Sequence, residues 1–217
     1  YDAIVAVDVA DEKLFGPGLA DYVGKVDLCI DHHPSNCMYA KMTYLVPGAA
    51  ATAQIIYPIV RALGAPIDQK IGGCIYTGLA TDTGCFKFSN TSWETHMVAA
   101  ELMKQGVQVE QINKVMFGTK TRARIQVEKE VLATMEFFRE NTCAMVVIPQ
   151  DIVRRTGVDE SELDGISDLP RQVEGVDIGI CIKEKGDGLY RVSLRTSEMA
   201  DASRICALLG GGGHKRA

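Results

Sequence analysis

Short apolar runs that stop at acids set the pattern of the first third of the chain. Ala3 to Val7 is one such run, closed by Asp8, and Leu28 to Ile30 is another, closed by Asp31. Continuous apolar runs of this length read as strands buried on both faces of a parallel sheet. Between them Gly16-Pro17-Gly18 marks a turn, and Leu19 to Val23 reads as a short helix. The segment is therefore a compressed strand–helix–strand unit. Tyr44 to Val46 reads as a further strand, and Pro47-Gly48 opens a helix over residues 49–63 that Gly64-Ala65-Pro66 breaks. A second helix is expected over 68–80. Ser92 with Thr95 forms an imperfect capping box for a helix over 93–105 that stops at Gly106. Another short helix covers 109–115.

From Thr121 to Arg139 the period changes. Ile125, Val127, Val131, Leu132, Met135 and Phe138 approximate one helical face, which predicts a long amphipathic connector. Beyond it the pattern resets to a strand at 143–148, a helix beginning at Ile152 and an acidic turn-rich stretch to Gly165. Strands at 176–183 and 190–194 flank Gly186-Asp187-Gly188, a hairpin turn, and a helix follows at 202–209. The expected fold is α/β: a parallel-sheet domain over 1–118, a helical linker over 119–140 and a smaller α/β domain over 141–217.

Composition adds limits. The 217 residues are 47% hydrophobic with a net charge of −5, which argues against a protein that coats long nucleic acid. Seven cysteines, an odd number without a Cys-x-x-Cys pair, disfavour a disulfide framework and a structural zinc site. They read as packing residues in a reducing cytoplasm. No apolar run is long enough to span a bilayer. Trp93 is expected in the core, and His96 as a packed or surface histidine.

The candidate chemistry lies at the strand ends. In open parallel sheets, ligands gather beyond the carboxyl ends of the strands. Asp8, Asp31, His32 and His33 all fall there. A carboxylate and two imidazoles together suit a transition metal. Adjacent side chains diverge, so one histidine is expected on the metal and the other toward substrate. Asp82, in Thr81-Asp82-Thr83-Gly84, reads either as a turn-stabilising residue or as a further ligand. Near the far end, Gly210-Gly211-Gly212-Gly213-His214 reads either as a loose tail or as a nest of backbone N–H groups that grips an anion. Arg195, ending the preceding strand, is either an edge-strand surface charge or a phosphate clamp.

Val7-Asp8, Asp31-His32-His33, Thr81-Asp82-Thr83-Gly84 and the glycine run before His214 occur in an order and at separations that resemble the DHH phosphoesterase family. The DHH-associated C-terminal domain is included in the likeness, which covers essentially the whole chain. The stretch Asp82 to Thr91 resembles the branch of that family containing nano-RNases and 3′-phosphoadenosine-5′-phosphate phosphatases. The resemblance implies two divalent ions, Mn²⁺ ahead of Mg²⁺, with Asp8 bridging them and His32 and Asp82 as ligands. It implies that His33 contacts substrate. Arg195, Gly211, Gly212, Gly213 and His214 would grip a substrate phosphate across an interdomain cleft. The implied activity is two-metal hydrolysis of short oligoribonucleotides, linear di-adenylate or adenosine 3′,5′-bisphosphate. The implied setting is the cytoplasm, with no membrane, no long duplex and a homodimer as the assembly. A RecJ-type exonuclease, a family II pyrophosphatase and a non-catalytic nucleotide binder are the competing readings. The family also carries a His-x-x-Pro-Asp-x-Asp strand before Asp8 that this chain lacks, so the chain reads as trimmed at its start.

Overall fold

The computed structural model describes residues 1–163, 165–208 and 210–212. Strands β1 (Val5–Val7), β2 (Leu28–Asp31) and β3 (Met42–Leu45) form a parallel sheet in that order. Val5 lies opposite Leu28, and Leu28 opposite Met42. Expectation and structure differ at β1. It is an edge strand, and Val5 and Val7 are exposed while Ala6 is covered. The segment between β1 and β2 carries two 3₁₀ helices, Glu12–Leu14 and Pro17–Tyr22, the second over the expected short helix.

Helices α1 (Thr52–Ala62), α2 (Gln69–Asp82), α3 (Trp93–Lys104) and α4 (Val109–Asn113) follow. Asp68 caps α2 by accepting from the backbone N–H groups of Lys70 and Ile71. The Ser92–Thr95 capping box of α3 is fully formed. One core packs Tyr76, Leu79, Ala99 and Leu102 of α2 and α3 around Tyr57 of α1, and a smaller one packs Ile30 of β2 against Ile55. Burying Leu79 and Leu102 completely stabilises the helical layer by about 2 kcal/mol each. Trp93 is not in that core. As the first residue of α3 it points outward and is 72% exposed.

The long helix expected over 121–139 ends early. Helix α5 (Arg122–Leu132) stops, and residues Glu136–Phe138 form strand β4, antiparallel to β5 (Cys143–Ile148). The Thr134 hydroxyl donates to the carbonyl of Val131 and accepts from the N–H of Val147, which ties the chain to the sheet two residues after the helix ends. Strands β6 (Ile178–Gly186) and β7 (Leu189–Thr196) complete a sheet of order β4-β5-β6-β7, with β6 parallel to β5 and antiparallel to β7. Helix α6 (Gln150–Thr156) packs with α5 over Val146 and Ile148, and α7 (Ala202–Leu208) follows β7.

The chain divides into two compact units, Tyr1–Thr119 and Lys120–Ala217, so α5 counts with the second. Cys29 and Cys181 are buried, but Cys37 and Cys74 are exposed, against the expectation that the cysteines serve in packing. Among the described residues no helix is long and apolar enough to cross a membrane.

Candidate metal centre

Asp8 leaves β1 with a φ of 64°, a left-handed conformation that aspartate tolerates better than most residues. Its N–H still donates to the carbonyl of Ile30, so the ladder continues while the side chain is redirected. The Thr52 hydroxyl, at the start of α1, donates to Asp8 Oδ1 at 2.7 Å. A residue held in such a conformation beside polar side chains is a usual mark of a functional site.

Asp31 ends β2 and is fully buried. Burial alone would push its carboxyl upward. Hydrogen bonds from Asn36, His33 and the backbone N–H groups of His32 and His33 outweigh that, and the carboxyl sits below the ordinary range. Asn36 Nδ2 donates to Oδ2 at 2.6 Å, and His33 Nδ1 donates to Oδ1 at 2.7 Å. A carboxylate only accepts, so His33 carries its proton on Nδ1 and leaves Nε2 as a lone-pair donor.

His32 is arranged in the same way. Its Nδ1 lies 3.1 Å from the carbonyl of Ala49, which can only accept. Nε2 is then the free lone pair, 3.7 Å from Asp8 Oδ1 and 3.6 Å from Asp82 Oδ2. The two imidazole rings are 4.5 Å apart, and ligand atoms of Asp8, His32 and His33 all lie within 4.8 Å of one another.

Asp82 arrives from elsewhere in the chain, as the last residue of α2. Burial, and then the nearby negative charge of Asp8, push its carboxyl above the ordinary range, and the two histidines only partly offset this. The turn after it is fixed locally. Thr83 is buried and donates to the Leu79 carbonyl, and Gly84 adopts a φ of 55°, where a Cβ would overlap the Phe88 ring. Asn90 then donates to the carbonyls of both Asp82 and Ala50, tying the end of α2 to the loop that carries Ala49.

The structure therefore brings Asp8, His32, His33 and Asp82 together at the carboxyl end of the sheet. Among the described residues none of the four pairs with a lysine or arginine. Two carboxylates and two imidazoles with Nε2 free form a donor set that fits divalent ions. Asp31, Asn36, Thr52 and Asn90 organise the set. Sequence reading grouped Asp31 with the two histidines as a set suited to a metal, whereas the structure buries it behind His33, and it gave the other three no role.

In the second unit, Arg195 on edge strand β7 donates from Nε to Asp168 at 2.7 Å and from Nη1 to the Leu194 carbonyl. Its guanidinium is thus partly engaged. Gly210, with a φ of 77°, and Gly211, whose N–H donates to the Cys206 carbonyl, close the end of α7. Gly212 is described, whereas Gly213 and His214 lie outside the described residues.

No family model matches the chain. It is 31% identical over 213 residues to the bifunctional oligoribonuclease and PAP phosphatase NrnA of Thermus thermophilus, covering 97% of this chain and 62% of that protein. That likeness supports the resemblance to DHH phosphoesterases. The protein of the same name in Bacillus subtilis is 25% identical over 188 residues, or 85% of this chain and 59% of that relative. The chain thus spans about three fifths of the length of these relatives. Its fold is that of a solved exopolyphosphatase-related protein from Bacteroides fragilis, with a TM-score of 0.89 at 22% identity, covering 99% of this chain and 64% of that one.

Proposed function

We propose that this protein is a metal-dependent phosphoesterase that hydrolyses short oligoribonucleotides, linear di-adenylate or adenosine 3′,5′-bisphosphate. The observation that carries the reading is the convergence of Asp8, His32, His33 and Asp82, residues from three separate stretches, without a protein cation to balance the two carboxylates. The names of the Thermus and Bacillus relatives support the substrate class.

In this reading Asp8, His32 and Asp82 hold two divalent ions, Mn²⁺ for preference, since a mixed oxygen and nitrogen donor set suits it. Such ions, when bound, supply an acidified water and neutralise charge on a phosphoryl group. The protein's own groups do the rest. Asp31 fixes the tautomer of His33, so its Nε2 faces the substrate phosphoryl oxygens rather than rotating away. Thr52 fixes the Asp8 carboxylate, and Asn90 fixes the end of α2 that presents Asp82. We assign Arg195, Gly211, Gly212, Gly213 and His214 to holding a substrate phosphate. That grip, with the acidic balance of the chain, favours short substrates over long strands. The cytoplasm is the setting this reading implies.

The test is a substrate panel on the full-length protein with Mn²⁺, comprising di- to pentaribonucleotides, linear di-adenylate, adenosine 3′,5′-bisphosphate, pyrophosphate and a long single strand. Mononucleotide release from the short substrates is expected to exceed turnover of pyrophosphate or the long strand. No release from any short substrate at any Mn²⁺ concentration would sink the proposal.

A further inference from the structure

The peptide group that joins Ala49 to Ala50 is hydrogen-bonded at both ends. Its carbonyl oxygen accepts from His32 Nδ1 at 3.1 Å, and its N–H donates to Gln54 Oε1 at 3.3 Å. The two ends belong to one planar unit, so a rotation that breaks one bond breaks the other. Ala50 is buried just ahead of α1, where no helical carbonyl serves its N–H. The Gln54 side chain supplies the acceptor instead.

Gln54, half-buried in the first turn of α1, is anchored in turn. A backbone N–H only donates, so the atom of Gln54 that faces Ala50 is the amide oxygen. The same oxygen accepts from the Thr95 hydroxyl at 2.8 Å. Thr95 is fully buried within the capping box that opens α3. From the other side Asn90 donates to the Ala50 carbonyl at 2.9 Å. Hydrogen bonds therefore run from the start of α3, through Gln54 and one peptide group, to the His32 ring.

A neutral imidazole can carry its proton on either nitrogen, and a proton on Nε2 removes the lone pair that a metal takes. The Ala49 carbonyl keeps the proton of His32 on Nδ1 only while the peptide holds its plane. His33 provides an internal comparison, because Asp31 sets its tautomer without that peptide.

We propose that Gln54 is a positioning residue of the metal centre: it holds the Ala49–Ala50 peptide so that His32 keeps Nε2 free for a divalent ion. The inference deepens the phosphoesterase reading and rests on it only for the use of that ion in hydrolysis.

The test records proton–nitrogen correlation spectra of the histidine rings in the full-length protein in EDTA. At about pH 9, above the ordinary histidine range, they report which ring nitrogen carries the proton. The wild type is expected to show Nδ1–H at both His32 and His33. Gln54→Met keeps the length of the side chain and loses the acceptor. It is expected to mix the two tautomers at His32 and to leave His33 unchanged, whereas general loosening of the site would move both. Gln54→Glu, whose carboxylate can accept the same two bonds, is expected to restore the single tautomer. Mn²⁺ affinity is expected to fall about tenfold in Gln54→Met and to recover in Gln54→Glu. If Gln54→Met does not fold, Thr95→Val, which removes the other bond to Oε1, is expected to shift His32 in the same direction. Nε2–H at His32 in the wild type overturns the proposal. So do an unchanged His32 or unchanged Mn²⁺ affinity in the variant that lacks the bond, equal shifts at both histidines, and failure of Gln54→Glu to restore His32. If the spectra are as expected but the wild type hydrolyses no short substrate, the phosphoesterase reading fails and the positioning role stands. Hydrolysis with His32 indifferent to Gln54 gives the reverse.

Discussion

His33 Nδ1 donates to Asp31 Oδ1 across 2.7 Å, and Asp31 has no exposed surface at all. The carboxylate therefore acts through the histidine rather than on a ligand. It sets the imidazole's tautomer and its direction. Asp31→Asn keeps the shape and loses the charge. Losing a carboxylate of this kind is expected to lower activity by about 10- to 100-fold. Hydrolysis of a dinucleotide across a Mn²⁺ series checks it, and a variant as active as wild type would contradict the assignment.

Asp82 and Asp8 both lie against His32 Nε2, at 3.6 and 3.7 Å, and burial, then the charge of Asp8, push the Asp82 carboxyl upward. In the metal-free protein this is a cost to folding. Asp82→Asn is expected to leave the unfolding midpoint in EDTA unchanged or higher. In Mn²⁺ the same variant is expected to lose the stabilisation that metal gives the wild type, together with nearly all hydrolysis. Thermal unfolding with and without Mn²⁺ separates the two effects.

Gly78 of α2 faces Ala53 of α1 so closely that a Cβ on Gly78 would lie 2.8 Å from the Ala53 Cβ. Helix α1 carries Thr52, which holds Asp8, and α2 carries Asp82. Gly78→Ala must push these helices apart. Overpacking costs about 1–3 kcal/mol, partly offset by about 1 kcal/mol of helix propensity. A net loss of about 1 kcal/mol in urea unfolding is expected, with a larger proportional fall in Mn²⁺-dependent activity. Unaltered activity would mean that helix spacing does not govern the site.

Glu128 in α5 is largely buried and accepts from Lys120 and Arg124. Burial pushes its carboxyl upward, but those two cations hold it below the ordinary range. The sign follows: a depressed folded pKa gives stability that is present above the unfolded value, near 4.3. That stability is lost as pH falls through the folded value. Unfolding midpoints measured from pH 7 down to pH 3 are expected to fall over the acid end of this range. Glu128→Gln is expected to flatten that fall and to cost up to about 3 kcal/mol at pH 7.

What sequence reading reached depends on distance along the chain. Asp8, Asp31, His32 and His33 were legible because apolar runs end at them, and strand ends in a parallel sheet gather ligands. Asp82 carried no such sign. It stands at a helix end, and only the family resemblance singled it out. Thr52 and Asn90 were invisible because their partners lie 44 and 40 residues away. The helix expected through Arg139 was overextended because Met135 and Phe138 fit its period, whereas the Thr134 side chain, bonded to Val131 and Val147, ends it. Trp93 was misplaced because an aromatic residue at a helix start need not face the core.

The most direct measurement is the location of Mn²⁺ in crystals of the full-length protein by anomalous scattering, paired with Mn²⁺ titration of wild type and Asp8→Asn. The expected result is Mn²⁺ coordinated by Asp8, His32 and Asp82, with binding weakened by at least about tenfold in Asp8→Asn. Mn²⁺ found only elsewhere, or bound equally well by Asp8→Asn, would contradict the metal centre.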